Sequence, residues 1–478
     1  MTANLIFEHF VNGRFIAAPA AIDVLNPATE RRIGSVPDAD AALVDEAVAA
    51  AVAAQTGWAK LPANARGQFL RTLATKVRAN AERLAGLLAL EQGKALPLAQ
   101  MEVYVTAEYL DYMAEWGRRI EGEIITSDRL GESMFLFRRP MGVVAGIIPW
   151  NFPLFMVARK VAPALITGNS IVVKPSEETP FSALEFARLM AETDLPAGVF
   201  NLVCGRGGST GMALVTHQKV DMISFTGSSA TGATIMAAAA PNLTKVNLEL
   251  GGKAPVIVLD DANIDLAVGV LRASKALNTG QACNCAERIY VHRKVAAEFS
   301  EKLAAALATI AHGDPLGTAP IEMGPLINRA SVDRLAALVE DARAKGAELL
   351  TGGGAAATGD GCHFEPTLLS GSTPDMAIMY REIFGPILVV DAVDSLDEAI
   401  TRANDSEYGL TSSIFTNSLN ATMQAISELR FGETYVNREN FEAIQGFHAG
   451  VRKSGIGGTD GKHGLYEYTH TQVAYIQT

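Results

Sequence analysis

The segment "GQACNCAER", residues 280 to 288, places Cys283 and Cys285 one residue apart, two of only four cysteines in the chain. A zinc clip would need two further ligands at workable spacing, and the nearest is His292, across an apolar run that reads as a strand, so no metal is expected. A redox pair would close a strained C-x-C ring. Two buried structural thiols would need no partner. The preceding "NTGQ" favours a nucleophile: Asn278 and Gly280 mark a turn where backbone can approach a ligand closely, and a thiol just after such a loop sits near N–H donors.

A thiolate that attacks a carbonyl needs a donor for the oxyanion and, if the adduct is to be hydrolysed, a base for water. "PWNFP" holds Asn151 in a loop bracketed by prolines after an apolar strand. "LELGGKAP" holds Glu249 just before a glycine pair. Taken singly, an Asn in a turn or a Glu at a strand end is ordinarily structural. Together with Cys283 they supply nucleophile, amide and base.

Such groups need a frame. From Met141 onward short apolar runs alternate with helical stretches, "GVVAGIIPW", "SIVVKPS", "VFNLVCG", "KVDMISFTGS" and "APVIVLDD", and this alternation predicts a parallel sheet. A second α/β series follows Gly252, with a helix around "DLAVGVLRASKAL", the cysteine segment, a strand "ERIYVHR", a helix "VAAEFSEKLAAALATI" and later "EIFGPILVVDAV". Ahead of both, residues 38 to 94 repeat apolar positions at i, i+3, i+4 spacing, so the first hundred residues read as mostly helical. "SMFLFRRP" and "YEYTHTQVAYIQT" are β-rich, have no core of their own and should pair with something, a neighbouring subunit included.

A chain of 478 residues exceeds one hydrophobic core and should divide into two or three units. With 49% apolar and 19% charged residues and 43 glycines it fits a well-packed α/β protein. A net charge of -12, without a long basic cluster, excludes nucleic acid as partner. The start "MTANLIFEHFVNGRF" carries no leader pattern, and the apolar stretch around "MGVVAGIIPW" falls short of the ~20 residues a spanning helix needs, so no membrane is expected. The sparse cysteines make a poor disulfide framework, which points to a reducing cytoplasm.

"PWNFP", "IVVKPSEETP", "FTGS", "LELGGK", "NTGQACNCAER" and "EIFGPI", in this order and spacing, resemble the signature motifs of the NAD(P)-dependent aldehyde dehydrogenase superfamily, from about residue 10 to the C-terminus. The stretch "GETYVNRENFEAIQGFHAGVRKSGIGGTDGKHGL" resembles the bacterial lactaldehyde and glycolaldehyde dehydrogenases. The resemblance implies an α/β fold with a Rossmann-type NAD domain (1–122 and 142–249), a catalytic α/β domain (250–450) and a small β oligomerisation arm (123–141 and 459–478) that favours a dimer or tetramer. It implies Cys283 as nucleophile, Asn151 and the Cys283 N–H as oxyanion donors, and Glu249 as the base that activates water on a thioester. Glu249 speaks against transfer to coenzyme A, which needs no such base. For the cofactor it implies Ile148, Pro149 and Trp150 beside the nicotinamide, Lys174, Ser176 and Glu177 at the adenosine ribose, Phe225, Gly227 and Ser228 near the pyrophosphate, and Glu382 and Phe384 at the nicotinamide ribose and ring. A carboxylate at position 177 would repel a 2′-phosphate, so NAD is expected over NADP.

By the same resemblance, the tunnel positions that accept greasy aldehydes elsewhere carry Arg159, Glu442 and His448 here. One reading is a short polar pocket that binds a hydroxyl or carboxyl next to the aldehyde. The other is an Arg159–Glu442 ion pair that closes the tunnel. Both predict small substrates, foremost 2-hydroxyaldehydes such as lactaldehyde and glycolaldehyde, with succinate semialdehyde as the alternative.

Overall fold

Five parallel strands carry the first group of motifs, because runs such as "VVAGI" and "SIVVK" are apolar on both faces and are stable only when covered on both sides. The computed structural model describes residues 5–18, 21–356 and 361–478. Across its first large sheet the parallel strands run Phe200–Leu202, Ser170–Lys174, Val143–Ile147, Met222–Thr226, Lys245–Glu249. Chain order therefore reverses between Val143–Ile147 and Met222–Thr226, the switch point of a Rossmann sheet, outside whose carboxyl ends ligands bind. Register makes this exact place usable: Ile147 pairs level with Phe225, so the loops after the two strands leave the sheet side by side.

The second large sheet has the order Glu348–Thr351, Thr367–Ser370, Ile387–Val393, Ala286–His292, Ala254–Val258, Thr411–Phe415, Glu433–Val436, with the first strand antiparallel and the rest parallel. Gly251 and Gly252, Cys283, and Glu382 to Phe384 precede the amino ends of three of its strands. A third sheet pairs Glu132–Pro140 with Thr469–Gln477 over nine residue pairs, and with Glu123–Ile125 on its other side. Between the last motifs and this sheet, the helix Gly461–Glu467 and Tyr468 pack into the core around the first sheet, where the Tyr468 hydroxyl meets Ser224 Oγ at 2.9 Å.

Helices Ala41–Lys60, Ala63–Ala79 and Ala81–Glu91 form where the periodicity predicts them, and a fourth, Leu96–Glu115, follows beyond the stretch it covers. The residues before them do not share that pattern. Between residues 5 and 37 lie five short strands, two of them a hairpin on the edge of the first sheet. At two to seven residues each they are too short to register a period, and they are held by a sheet edge that no local pattern announces.

Candidate active site

The loop before Cys283 is built against ordinary backbone preference. Asn278, Thr279 and Gly280 all take left-handed conformations, with φ of 47°, 60° and 67°, which is unusual above all for a β-branched threonine. Surrounding bonds hold the turn. Asn278 Nδ2 donates to Asn151 O at 3.0 Å and to Gln281 O at 3.2 Å, Thr279 Oγ1 donates to Gly324 O at 2.9 Å, and Gln281 Oε1 accepts from Ile327 N at 2.9 Å. At Gly280 a Cβ would lie 2.2 Å from Gly385 O, so no side chain fits. Strain held this way is characteristic of a functional turn, and it delivers Cys283, partly exposed, to the cavity wall.

Asn151 closes the other side of the thiol. Its Nδ2 donates to Gln281 O at 3.1 Å, which leaves the second amide proton for an incoming oxygen; Oδ1 is buried and makes no hydrogen bond among the described residues. The helix Pro153–Thr167 begins just beyond, and its first N–H groups need acceptors. Glu102 supplies them, accepting from Leu154 N at 3.0 Å and Phe155 N at 3.2 Å. Lys94 pairs with Glu102, donates to Asn151 O at 2.9 Å and lies over the Phe152 ring. Neither Lys94 nor Glu102 stands in a motif that marks it out.

The same helix is buried along all fifteen residues yet carries two adjacent cations, Arg159 and Lys160. Buried charges need partners, and each finds a different set. Lys160 Nζ lies 2.5 Å from Glu249 Oε2, which also accepts from Thr226 Oγ1 at 2.6 Å, while Glu249 Oε1 accepts from Thr459 Oγ1. Burial would raise the Glu249 carboxyl, but the charges of Lys160 and Arg159 outweigh it and hold this group well below the usual carboxylate range. Arg159 meets Asp460 through two nitrogens, with Nε to Oδ1 at 3.0 Å, and reaches Glu442 Oε1 at 3.2 Å. The expected Arg159–Glu442 pair thus exists, but Asp460 is the fuller partner. Glu442 Oε2 accepts in addition from Asn284 Nδ2 at 2.7 Å. His448 is buried with Nε2 3.9 Å from Cys283 Sγ and Nδ1 3.2 Å from Glu433 Oε2.

Two cavities meet at Asn151, Met156 and Cys283. The larger, about 320 Å³, is lined by Pro149, Trp150, Thr226, Gly227, Ser228, Glu382 and Phe384, with Arg334 as a cation the motifs did not mark. Trp150 and Phe384 meet edge to face in its wall, ring centres 5.4 Å apart. Glu382 Oε1 accepts from Gly252 N at 2.8 Å, and burial together with the Glu287 carboxylate pushes its carboxyl up to about 8. Ser228 caps the helix Ser229–Ala239 by accepting from Thr231 N. The smaller cavity, about 30 Å³, is lined by Arg159, Glu442, Asn284, Phe155 and Phe441.

Other sequence-marked residues stand back from these walls. Ile148 is buried and donates its N–H to Lys174 O at 3.1 Å; Phe225 lies beneath Gly227. Lys174 and Glu177 pair at 3.3 Å beyond the neighbouring strand, with Ser176 between them accepting from Glu178 N and Gly207 N donating to Glu177 at 3.4 Å. Glu249 faces Lys160 and the two threonines and lines neither cavity.

Residues 15–474 match the Aldehyde dehydrogenase family. The chain is 53% identical to lactaldehyde dehydrogenase of Escherichia coli (strain K12), with 98% of both chains covered. It is 41% identical to 3,6-anhydro-alpha-L-galactose dehydrogenase of Vibrio sp. (strain EJY3), covering 98% of this chain and 99% of that one. Among solved structures it superposes on lactaldehyde dehydrogenase from Escherichia coli with a TM-score of 0.98 at 52% identity over the full length of both. A 3,6-anhydro-L-galactose dehydrogenase in complex with NAP superposes with a TM-score of 0.96 at 42% identity, covering 99% of this chain and all of that one. Likeness of this extent in sequence and in fold establishes that the chain belongs to the aldehyde dehydrogenase family.

Proposed function

We propose that this enzyme, an oxidoreductase acting on aldehydes, uses NAD to convert small 2-hydroxyaldehydes such as lactaldehyde and glycolaldehyde to their carboxylic acids. The observation that carries the reading is the meeting of two unlike cavities at Cys283, one roomy and partly aromatic, the other small and lined by Arg159, Glu442 and Asn284.

The larger cavity fits a nicotinamide dinucleotide by the chemistry of its donors. It offers flat apolar faces in Trp150 and Phe384, a carboxyl for ribose hydroxyls in Glu382, and a helix amino end at Ser228 suited to a diphosphate. When bound, the dinucleotide supplies an acceptor for the hydride of the aldehyde carbon. Everything else falls to the chain. Cys283 Sγ adds to the carbonyl carbon, and the oxygen takes up a hydrogen bond from the second Asn151 amide proton, giving a thiohemiacetal and, after oxidation, a thioester. Glu249 then takes a proton from the hydrolytic water, which requires that it turn away from Lys160.

Substrate choice rests on the small cavity. A hydroxyl beside the aldehyde can donate to Glu442 and accept from Arg159, whereas an alkyl chain there would leave two buried charges facing hydrocarbon. Succinate semialdehyde is disfavoured because Arg159 already faces two carboxylates, Asp460 and Glu442, which oppose a third. The Glu177 carboxylate, kept ionised because Lys174 outweighs its burial, favours NAD over NADP.

The first large sheet would serve as the cofactor domain, the second as the catalytic one, and the three-stranded sheet as an arm between subunits of a dimer or tetramer. Exposed Ile124, Tyr475 and Ile476 on that arm support the last point. No helix among the described residues is long and apolar enough to cross a membrane, and the four cysteines are free, which supports a cytoplasmic site.

The test is kcat/KM with NAD for lactaldehyde, glycolaldehyde, succinate semialdehyde and hexanal, on wild type and Arg159→Leu. Hydroxyaldehydes should lead, and the substitution should cost them at least ~10-fold more than hexanal, equivalent to about 1.4 kcal/mol. A lead by hexanal, or by succinate semialdehyde, would overturn the substrate assignment.

A further inference from the structure

The carboxylate expected to act as base is engaged by other partners and lines neither cavity. Glu249 is bound to Lys160, Thr226 and Thr459, and its proton affinity is held low. A different titratable group stands against Cys283 Sγ: His448, 3.9 Å away through Nε2. Behind it, Nδ1 lies 3.2 Å from Glu433 Oε2, and Tyr435 OH donates to that same oxygen at 2.9 Å. Cys283, His448 and Glu433 therefore form a line of thiol, imidazole and carboxylate. The line is rigid: His448 and Thr459 exchange both backbone hydrogen bonds at 2.9 Å, and Glu433 belongs to the strand Glu433–Val436.

We propose that His448, oriented by Glu433, takes the proton of Cys283 and holds the nucleophile as a thiolate before aldehyde binds. The Sγ–H bond breaks, the Nε2–H bond forms, and no other reactant is consumed. A carboxylate on Nδ1 fixes the proton there, so Nε2 is the ring atom that faces the sulfur and titrates. The resulting imidazolium feels the charges of Glu433, Glu442, Glu249 and Asp460, with Arg159 as the opposing cation. Burial disfavours its charge, but Glu442, Cys283 and Glu433 outweigh burial and keep His448 well above its ordinary value. An imidazolium beside a thiolate is the arrangement that makes cysteines reactive at neutral pH. Hydrolysis of the thioester returns the sulfur as thiolate to an imidazole that has kept its proton, so Glu249 has only the proton of water to handle.

The inference rests on Cys283 being the nucleophile, and its test separates the two claims. Alkylation of Cys283 by iodoacetamide, followed by mass spectrometry of its peptide on the full-length enzyme without NAD or aldehyde, reads thiolate directly; the other three cysteines are buried. Wild type should react nearly as fast at neutral as at alkaline pH. His448→Gln should slow the neutral reaction about tenfold or more relative to the alkaline one. Glu433→Gln, which keeps an acceptor on Nδ1, should shift the profile in the same direction by less, and serves if the His448 variant does not fold. Profiles that superpose on wild type in either variant, with only KM for lactaldehyde raised, would mean that His448 contacts substrate alone and would overturn the inference. Retained aldehyde oxidation in Cys283→Ser would overturn the nucleophile assignment and this inference with it.

Discussion

Lys160 Nζ lies 2.5 Å from Glu249 Oε2, and both side chains are out of solvent. Removing one member of such a pair strands the other charge, at a cost of about 3–5 kcal/mol. Lys160→Met should therefore unfold at distinctly lower urea concentration, while Lys160→Met with Glu249→Gln should regain most of the loss. Because Glu249 binds its proton more weakly folded than unfolded, the stability it contributes is full above the ordinary carboxylate range and is lost as pH falls toward its depressed value. Equal instability of single and double variants would show that packing, not charge, holds this part of the site.

A Cβ added at Gly252 would stand 2.4 Å from Cys283 O. Backbone cannot yield as a flexible side chain can, so Gly252→Ala should displace Cys283, the proposed nucleophile, while leaving the Gly252 N–H that serves Glu382. A misplacement on the order of 1 Å costs about 10²-fold in rate. We expect kcat to fall by about that factor with NAD binding, read by tryptophan fluorescence quenching, almost unchanged. Weakened NAD binding with kcat preserved would contradict the assignment of this contact to the thiol.

Much of this site was legible because its residues sit at strand ends, where apolar runs bounded by Gly and Pro announce both strand and loop. The alternation implies a parallel sheet, and within it Ile147 and Phe225 stand level and bring "PWN" and "GS" together. Pairing across long separations was not legible. Arg159 and Asp460 are 301 residues apart, and Lys160 and Glu249 are 89. A signal existed in part: two adjacent cations in the otherwise apolar "PLFMVARKVAPALIT" demand acids from elsewhere. Nothing local says which acids answer, and Glu433, Thr459 and Asp460 look like ordinary loop and edge residues until the fold places them. The N-terminal strands were missed for a related reason, since their stability comes from the edges they dock on.

Glu382 opens on the larger cavity, and burial with the Glu287 carboxylate nearby lifts its carboxyl to about 8. A group raised on folding binds its proton more tightly in the native state. Its ionisation therefore erodes stability as pH climbs from the ordinary carboxylate range through about 8. Glu382→Gln removes that liability: without NAD, its Tm relative to wild type should rise between mildly acidic and alkaline pH. A Tm difference independent of pH would sink the argument.

On the proposed reading, Glu177 is the group on which the choice between dinucleotides turns. Its carboxylate accepts from Gly207 N and pairs with Lys174 at 3.3 Å, and although burial opposes ionisation, Lys174 outweighs it. Two like charges at a ribose would repel, whereas two hydroxyls would be accepted. Glu177→Gln keeps the size and the acceptor, removes the charge, and frees Lys174 to face a 2′-phosphate. Its kcat/KM for NADP should rise about tenfold, near 1.4 kcal/mol, while that for NAD falls by less. If instead both cofactors lose equally, the carboxylate positions the loop at Gly207 and exclusion of the phosphate lies with other residues.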